Sequence, residues 1–132
     1  GYEGPLWRYC EERLADAWRR GLTAAEACDE WGSGAYLLET VPSVLYILMR
    51  HGHNLEEAII RAVNDTYDND SVAAIVGAQV GALHGRQALP ARWVDSLSGC
   101  TIVPPTFDPQ NERDDGKMFE LIAQARSRFW KD

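Results

Sequence analysis

The fold of this chain is decided by residues 64–85, NDTYDNDSVAAIVGAQVGALHG. The first part holds three aspartates among hydroxyl and amide side chains, and residues 71–85 then contain no Asp, Glu, Lys or Arg. Gly77, Gly81 and Gly85 recur every four residues, which places them on one face of a helix. A helix without a polar face is normally surrounded by protein. We therefore expect a buried helix over 71–85, with the acidic segment at its entrance.

Capping signals predict that the flanking segments are also helical. Pro5 is expected at the first position of a helix that Gly21 ends. Thr23 and Glu26 have the spacing of a capping box. Pro42 is expected in the first turn of a strongly apolar helix.

Further along the chain, Asn54 is expected to cap a helix, and Pro90 to open a short one carrying Trp93. Residues 99–116 are expected to form an irregular loop, and residues 117–130 an amphipathic terminal helix. No convincing alternation of apolar and polar residues predicts a strand. The fold class is therefore all-α, with residues 1–132 forming a single domain or the C-terminal part of one.

Composition narrows the possible functions. The 132 residues carry a formal net charge of −7, which argues against a dedicated nucleic-acid-binding protein. The uncharged run over 71–85 is too short to span a bilayer. The three cysteines lack CxxC spacing, so reduced thiols in a cytoplasmic protein are expected. Because the first residue is Gly rather than Met, the chain is expected to be a piece of a longer protein or a processed product.

The acidic segment has the chemistry of a partial metal site. Asp68, Asp70 and Ser71 supply two carboxylates and a hydroxyl next to a helix start, and oxygen ligands of this kind suit Mg²⁺ or Mn²⁺. Simple capping of the helix by Asp70 or Ser71 remains open as an alternative, because Asp and Ser are favoured cap residues. An EF-hand is excluded, since Val72 and Ala73 stand where its loop requires Gly and a further oxygen ligand.

Several spaced features together resemble the ADP-ribosylglycohydrolase family, of the dinitrogenase-reductase-activating type. The family pattern is a Gly-rich approach, Asp-x-Asp-Thr, a helix of small residues and Pro-x-x-Trp. Asp68, Asp70 and Ser71 match the ligand positions, while Thr66-Tyr67 replace the usual Gly-Gly and Ser71 replaces Thr. The resemblance is best over residues 30–97.

The resemblance implies an all-α fold with a binuclear Mg²⁺ or Mn²⁺ centre that removes ADP-ribose from modified side chains or small ADP-ribosyl compounds. Asp68, Asp70 and Ser71 would then be metal ligands. The family's other ligands lie in a Thr-Asp-Asp type motif, which this sequence lacks. The adjacent pair Asp114-Asp115 follows the site and is expected to be solvated. The chain is therefore expected to be the C-terminal part of a hydrolase, inactive by itself.

A second segment, residues 32–36, also resembles the family. Ser33, Gly34, Ala35 and Tyr36 are candidates for substrate binding, because small residues permit close backbone approach and a tyrosine can stack on a base. A plain loop with Tyr36 in the core is the alternative. Glu39 is either an acceptor that supports the site or an ordinary acid in the first helical turn.

Two other functional readings stay open. The chain could be a non-catalytic domain that binds ADP-ribose or a metal, or serves as a scaffold with the same fold. It could also self-associate, or pair with an N-terminal half, to cover its apolar faces. His84 is expected to be a hydrogen-bonded packing residue rather than a base.

Overall fold

A computed structural model describes residues 1–98 and 123–128 of the chain. The predicted loop over 99–116 lies outside the described residues, and the predicted terminal helix is described only over 123–128, which are helical. The other elements, in chain order, are α1 (Leu6–Arg20), α2 (Ala24–Trp31), α3 (Leu37–His51), α4 (Leu55–Asn64), α5 (Asn69–His84), a 3₁₀ turn (Arg86–Ala88) and α6 (Ala91–Ser98). No strand occurs in this part of the chain. The all-α prediction is confirmed.

The chain divides into two units. The first comprises Gly1–Pro90 and contains α1 to α5. The second begins at Ala91 and contains α6, in which the Ser96 hydroxyl donates to the carbonyl of Arg92 (2.6 Å). Both candidate segments belong to the first unit.

The helix ends follow local signals in the sequence. The capping box is present: Thr23 Oγ1 accepts from the Glu26 amide (3.2 Å), and the Glu26 carboxylate accepts from the Thr23 amide (2.8 Å). Asn54 caps α4 through its side chain. Gly21 and Gly32 end α1 and α2 with φ values of 70° and 84°, a left-handed conformation that glycine adopts without strain.

Two prolines lie elsewhere than expected. Pro5 is the N-cap of α1, with extended backbone, and is not its first helical residue. Pro42 lies in the second turn of α3 rather than the first, because that helix already begins at Leu37. A proline there removes one backbone N–H from the helix, and the burial of its ring offsets part of that loss.

The core of the first unit is built around Trp31 and Tyr46. Their rings meet edge to face, with centroids 5.8 Å apart. The Trp31 indole donates to Ser43 Oγ (2.8 Å), and the Tyr46 hydroxyl donates to the Leu22 carbonyl (2.7 Å). These bonds join α2, α3 and the turn that follows α1, so the start of α3 has a fixed place in the fold.

Helix α5 runs in the same direction as α3. Asp68, at its start, is hydrogen-bonded to Ser33 ahead of α3, and His84, at its end, donates from Nε2 to the carbonyl of Gly52, the C-cap of α3 (2.7 Å). The hydrogen-bonded role expected for His84 is confirmed. Helix α5 also packs against α4.

The expectation that α5 is buried on all sides is wrong. Only Val72, Val76 and Val80, spaced four apart, are buried, whereas Ile75 is 40% and Leu83 71% exposed. The helix also begins at Asn69, two residues earlier than expected. Helices α3 and α4 cover one face of α5. An uncharged sequence does not by itself mean that other helices pack on the remaining faces.

Tyr46→Phe is expected to lower the free energy of unfolding by about 1–2 kcal/mol, because the partly buried Leu22 carbonyl loses its donor. Urea unfolding measures the change. The control is Tyr36→Phe, at a side chain that is 67% exposed, which should change stability by less than about 0.5 kcal/mol. Equal effects of the two substitutions would contradict this account of the core.

Candidate functional site

Ser33 joins the two segments that the sequence singled out. Its hydroxyl oxygen accepts from the Tyr67 amide (3.0 Å), and its carbonyl accepts from the Asp68 amide (3.0 Å). Ser33 is fully buried. Residues 34 positions apart in the chain are thereby brought together at one end of the parallel helices α3 and α5.

Gly34 is held by the first turn of α3. Its amide donates to Glu39 Oε2 (3.1 Å), and its carbonyl accepts from the Thr40 hydroxyl (2.8 Å). A Cβ at Gly34 would lie 2.6 Å from the same Glu39 oxygen, so glycine permits this close approach. Glu39 thus supports the loop, which agrees with its predicted role as a supporting acceptor.

The acidic segment forms the first turn of α5. Asp68 is the N-cap residue but makes no side-chain capping bond. The Ser71 amide donates to Asp70 Oδ1 (2.8 Å). This bond, followed by a hydrogen bond with the Asp68 carboxyl group, holds the pKa of Asp70 below its ordinary value. The N-cap is therefore Asp68, and Asp70, one of the two residues considered for capping, accepts an amide of the first helical turn.

Asp68, Asp70 and Ser71 together offer two carboxylates and a hydroxyl, which would form only part of the ligand shell of a metal ion. Asp68 is close enough to contribute to the lowered pKa of Asp70, and Asp70 and Ser71 are exposed. Carboxylate and hydroxyl oxygens are the ligands that Mg²⁺ and Mn²⁺ prefer. Among the described residues, no group of three or more His, Cys, Asp or Glu side chains is gathered for a metal ion. Any ion here would need further ligands.

The substrate-binding candidates fall into two kinds. Ser33 is buried and Gly34 half-buried, and the backbone groups of both are hydrogen-bonded within the loop. Ala35 and Tyr36 are exposed, with Tyr36 at 67%. The alternative that placed Tyr36 in the core is wrong, because α3 begins immediately after it and turns the ring outward.

A depression beside the acidic segment escaped the sequence analysis. It has a volume of about 300 Å³ and is lined by Ala25, Asp29, Asn64, Asp65, Thr66 and Tyr67. The Asp65 side chain is only 11% exposed, 3.7 Å from Arg61, whereas the Tyr67 ring is 75% exposed. The signal that could have found it is the replacement of Gly-Gly by Thr66-Tyr67 directly before the candidate ligands.

Cys28, in the last turn of α2, holds the loop that follows this helix. Its carbonyl accepts from the amides of Gly32 and Ser33 (2.9 and 3.2 Å). Burial raises the pKa of its thiol to about 11, so the thiolate is scarce at neutral pH. Cys10 and Cys28 are both free and buried. Cys28 therefore supports the loop through its backbone carbonyl.

The chain is similar in sequence to proteins of one known family. The model of the ADP-ribosylglycohydrolase family matches residues 3–126. The chain belongs to the ADP-ribosylglycohydrolase family. The family resemblance noted in the sequence is confirmed, and the match includes both segments that Ser33 joins.

Among named family members, the chain is similar to two bacterial proteins and one human protein. It is 34% identical over 70 residues to the ADP-ribosylarginine hydrolase Tri1 of Pseudomonas putida (strain GB-1), covering 53% of this chain and 19% of that protein. The Tri1 protein of Serratia proteamaculans (strain 568) is 36% identical over 69 residues, 52% of this chain and 19% of that protein. The ADP-ribosylhydrolase ARH3 of Homo sapiens is 27% identical over 88 residues, 59% of this chain and 24% of that protein.

The chain thus spans about a fifth to a quarter of the length of these curated relatives. No solved structure matches it significantly. Among the described residues, no helix is both long enough and apolar enough to cross a membrane.

The pKa of Asp70 is expected to be lower in the folded chain than in the urea-unfolded chain, because the Ser71 amide stabilises the carboxylate. The stabilisation this provides is present above the unfolded pKa and is lost as the pH falls through the folded pKa. A carboxyl ¹³C NMR titration in both states measures the difference. A folded pKa equal to or above the unfolded one would contradict the hydrogen-bonded arrangement.

Proposed function

We propose that this chain supplies one part of a metal-dependent ADP-ribosyl hydrolase, which cleaves the N- or O-glycosidic bond between ADP-ribose and a modified side chain or related small compound. Membership of the family and the names of the relatives support the class of reaction. The observation that carries the proposal is the pair of hydrogen bonds at Ser33, which brings the two candidate segments to one place.

In this proposal Asp68, Asp70 and Ser71 hold Mg²⁺ or Mn²⁺ on one side of the site, and the complete site contains two ions. Bound there, the ions would orient the ribose hydroxyls and activate water. In this proposal the chain contributes two carboxylates and a hydroxyl from the start of α5. The Ser71 amide keeps Asp70 ionised, and an ionised carboxylate is the form that binds a cation.

The two helix starts suit the anionic part of the same ligand. The N-termini of α3 and α5 lie at the same end of the fold, because Ser33 connects the segments that precede them. The N-terminus of a helix carries partial positive charge and attracts phosphate groups. The exposed Tyr36 ring is available to stack on the adenine. These features allow a chain of net charge −7 to receive an anionic ligand.

We further propose that the isolated chain does not turn over substrate. Its sequence lacks the Thr-Asp-Asp type motif that supplies the other ligands in the resemblance described above. The partner would be the remaining polypeptide of a longer family protein, with the whole acting in the cytoplasm on ADP-ribosylated proteins or small ADP-ribosyl compounds.

Calorimetric titration with Mn²⁺ tests the metal site in this chain. The unaltered chain is expected to bind, and Asp68→Ala and Asp70→Ala should each reduce the affinity by more than about tenfold, because a site with few protein ligands depends on each of them. The matched control is Asp95→Ala, at an exposed carboxylate in α6, which should bind as the unaltered chain does. Equal binding by all four proteins would favour the non-catalytic scaffold instead.

Release of ADP-ribose tests the reaction. A longer protein that carries this sequence together with a Thr-Asp-Asp motif is expected to release ADP-ribose from an ADP-ribosylated substrate in the presence of Mg²⁺ or Mn²⁺. Asp68→Ala should slow that release by more than about 100-fold, since even changes outside the ligand shell cost about 10- to 100-fold. Release by the isolated 132 residues would contradict the partial-site proposal. No release by the longer protein would contradict the hydrolase itself.

A further inference from the structure

We infer that Ser33 is a positioning residue, which sets the location of the candidate metal ligands relative to the candidate ADP-ribose segment. This inference rests on the proposed function and gives Ser33 a role different from the direct substrate binding expected from sequence. It concerns the backbone of residues 67–68, the two residues directly before α5.

The hydrogen bonds of Ser33 leave the acidic segment little freedom. Two consecutive amides, of Tyr67 and Asp68, donate to the hydroxyl and the carbonyl of this one residue, each at 3.0 Å. The Ser33 amide itself donates to the Cys28 carbonyl (3.2 Å), so Ser33 is anchored to the end of α2. Two bonds to adjacent peptide units fix both the position and the direction of a backbone. The positions of Asp68, and of Asp70 two residues later, depend on these two bonds.

The same residue lies within the candidate ADP-ribose segment, directly before Gly34. Gly34 is held to α3 through both its amide and its carbonyl. The connection Ser33–Gly34 therefore contributes to the separation between Tyr36 and the carboxylates, beside the packing of α3 against α5. Groups that orient metal ligands affect the affinity for the ion, because ligands that are already in place bind it more tightly.

Serine is well suited to this place. The position is fully buried, and alanine would provide no oxygen to accept from the Tyr67 amide. An amide that loses its acceptor has to find another partner, so the segment would move. Such a movement would carry Asp68 and Asp70 with it.

Amide hydrogen exchange of the unaltered, metal-free chain is the first test, and it needs no variant. The amides of Tyr67 and Asp68 should exchange at least about tenfold more slowly than their sequence-dependent unprotected rates, because both are hydrogen-bonded to Ser33. Unprotected exchange at both amides would overturn the inference.

Ser33→Ala is the second test, with Ser96→Ala as the matched control. Ser96 also loses a hydroxyl, but one that bonds only within its own helix α6. Ser33→Ala should speed exchange at Tyr67 by about tenfold or more, with much smaller changes at core amides such as that of Tyr46, and should weaken Mn²⁺ binding by about 10-fold. Ser33→Thr, which keeps the hydroxyl, should recover most of the Tyr67 protection.

The outcomes separate positioning from a general contribution to stability. If Ser33 only stabilises the fold, Ser33→Ala will speed exchange of the amides of the first unit together and leave the Mn²⁺ affinity of the folded chain unchanged, which overturns the inference. If the unaltered chain binds no Mn²⁺, the proposed metal site fails. Local exchange at Tyr67 and Asp68 in Ser33→Ala then decides the positioning role by itself.

Discussion

Ser33 accepts hydrogen bonds from two consecutive amides of the acidic segment, and the arrangement of the candidate site depends on this contact. Without it, the loop after α2 and the start of α5 would be two separate surface features. With it, the N-termini of two helices, an exposed tyrosine and two carboxylates lie at one end of the fold. Ser33 is buried and bonded to Cys28, so the accepting side of the contact belongs to the interior of the protein.

The rest of the first unit keeps that contact in register. Trp31, Ser43 and Tyr46 lock α2 and α3 together on one side of the loop. At the opposite end, His84 donates to the C-cap carbonyl of α3, so α5 is joined to α3 at both of its ends. Two fixed ends leave a helix little freedom to slide or tilt. The positions of Asp68 and Asp70 therefore derive from the Ser33 contact together with the packing of α5 against the rest of the unit.

Helix α5 shows how composition and environment can differ. Its uncharged sequence suggests burial on every side, yet only the stripe of Val72, Val76 and Val80 is buried. Apolar residues on the other faces, such as Leu83, remain exposed. Extended apolar surface commonly marks a place where further polypeptide packs. The proposal that this chain works together with additional polypeptide, in a family whose named members are four to five times longer than the matched part, accounts for that surface.

The sequence by itself determined the helical class, the capping box of Thr23, the glycine ends of α1 and α2 and the candidate ligands, because each depends on neighbours within a few residues. The start of α3 and the position of Pro42 were misjudged, since the Glu39 and Thr40 bonds to Gly34 begin the helix earlier than proline alone suggests. Only the tertiary structure decided that Ser33 joins Asp68, that Tyr36 faces outward and that α5 is covered on one face. Those outcomes depend on contacts between residues far apart in the chain, and no local pattern encodes which distant donor will reach a buried acceptor.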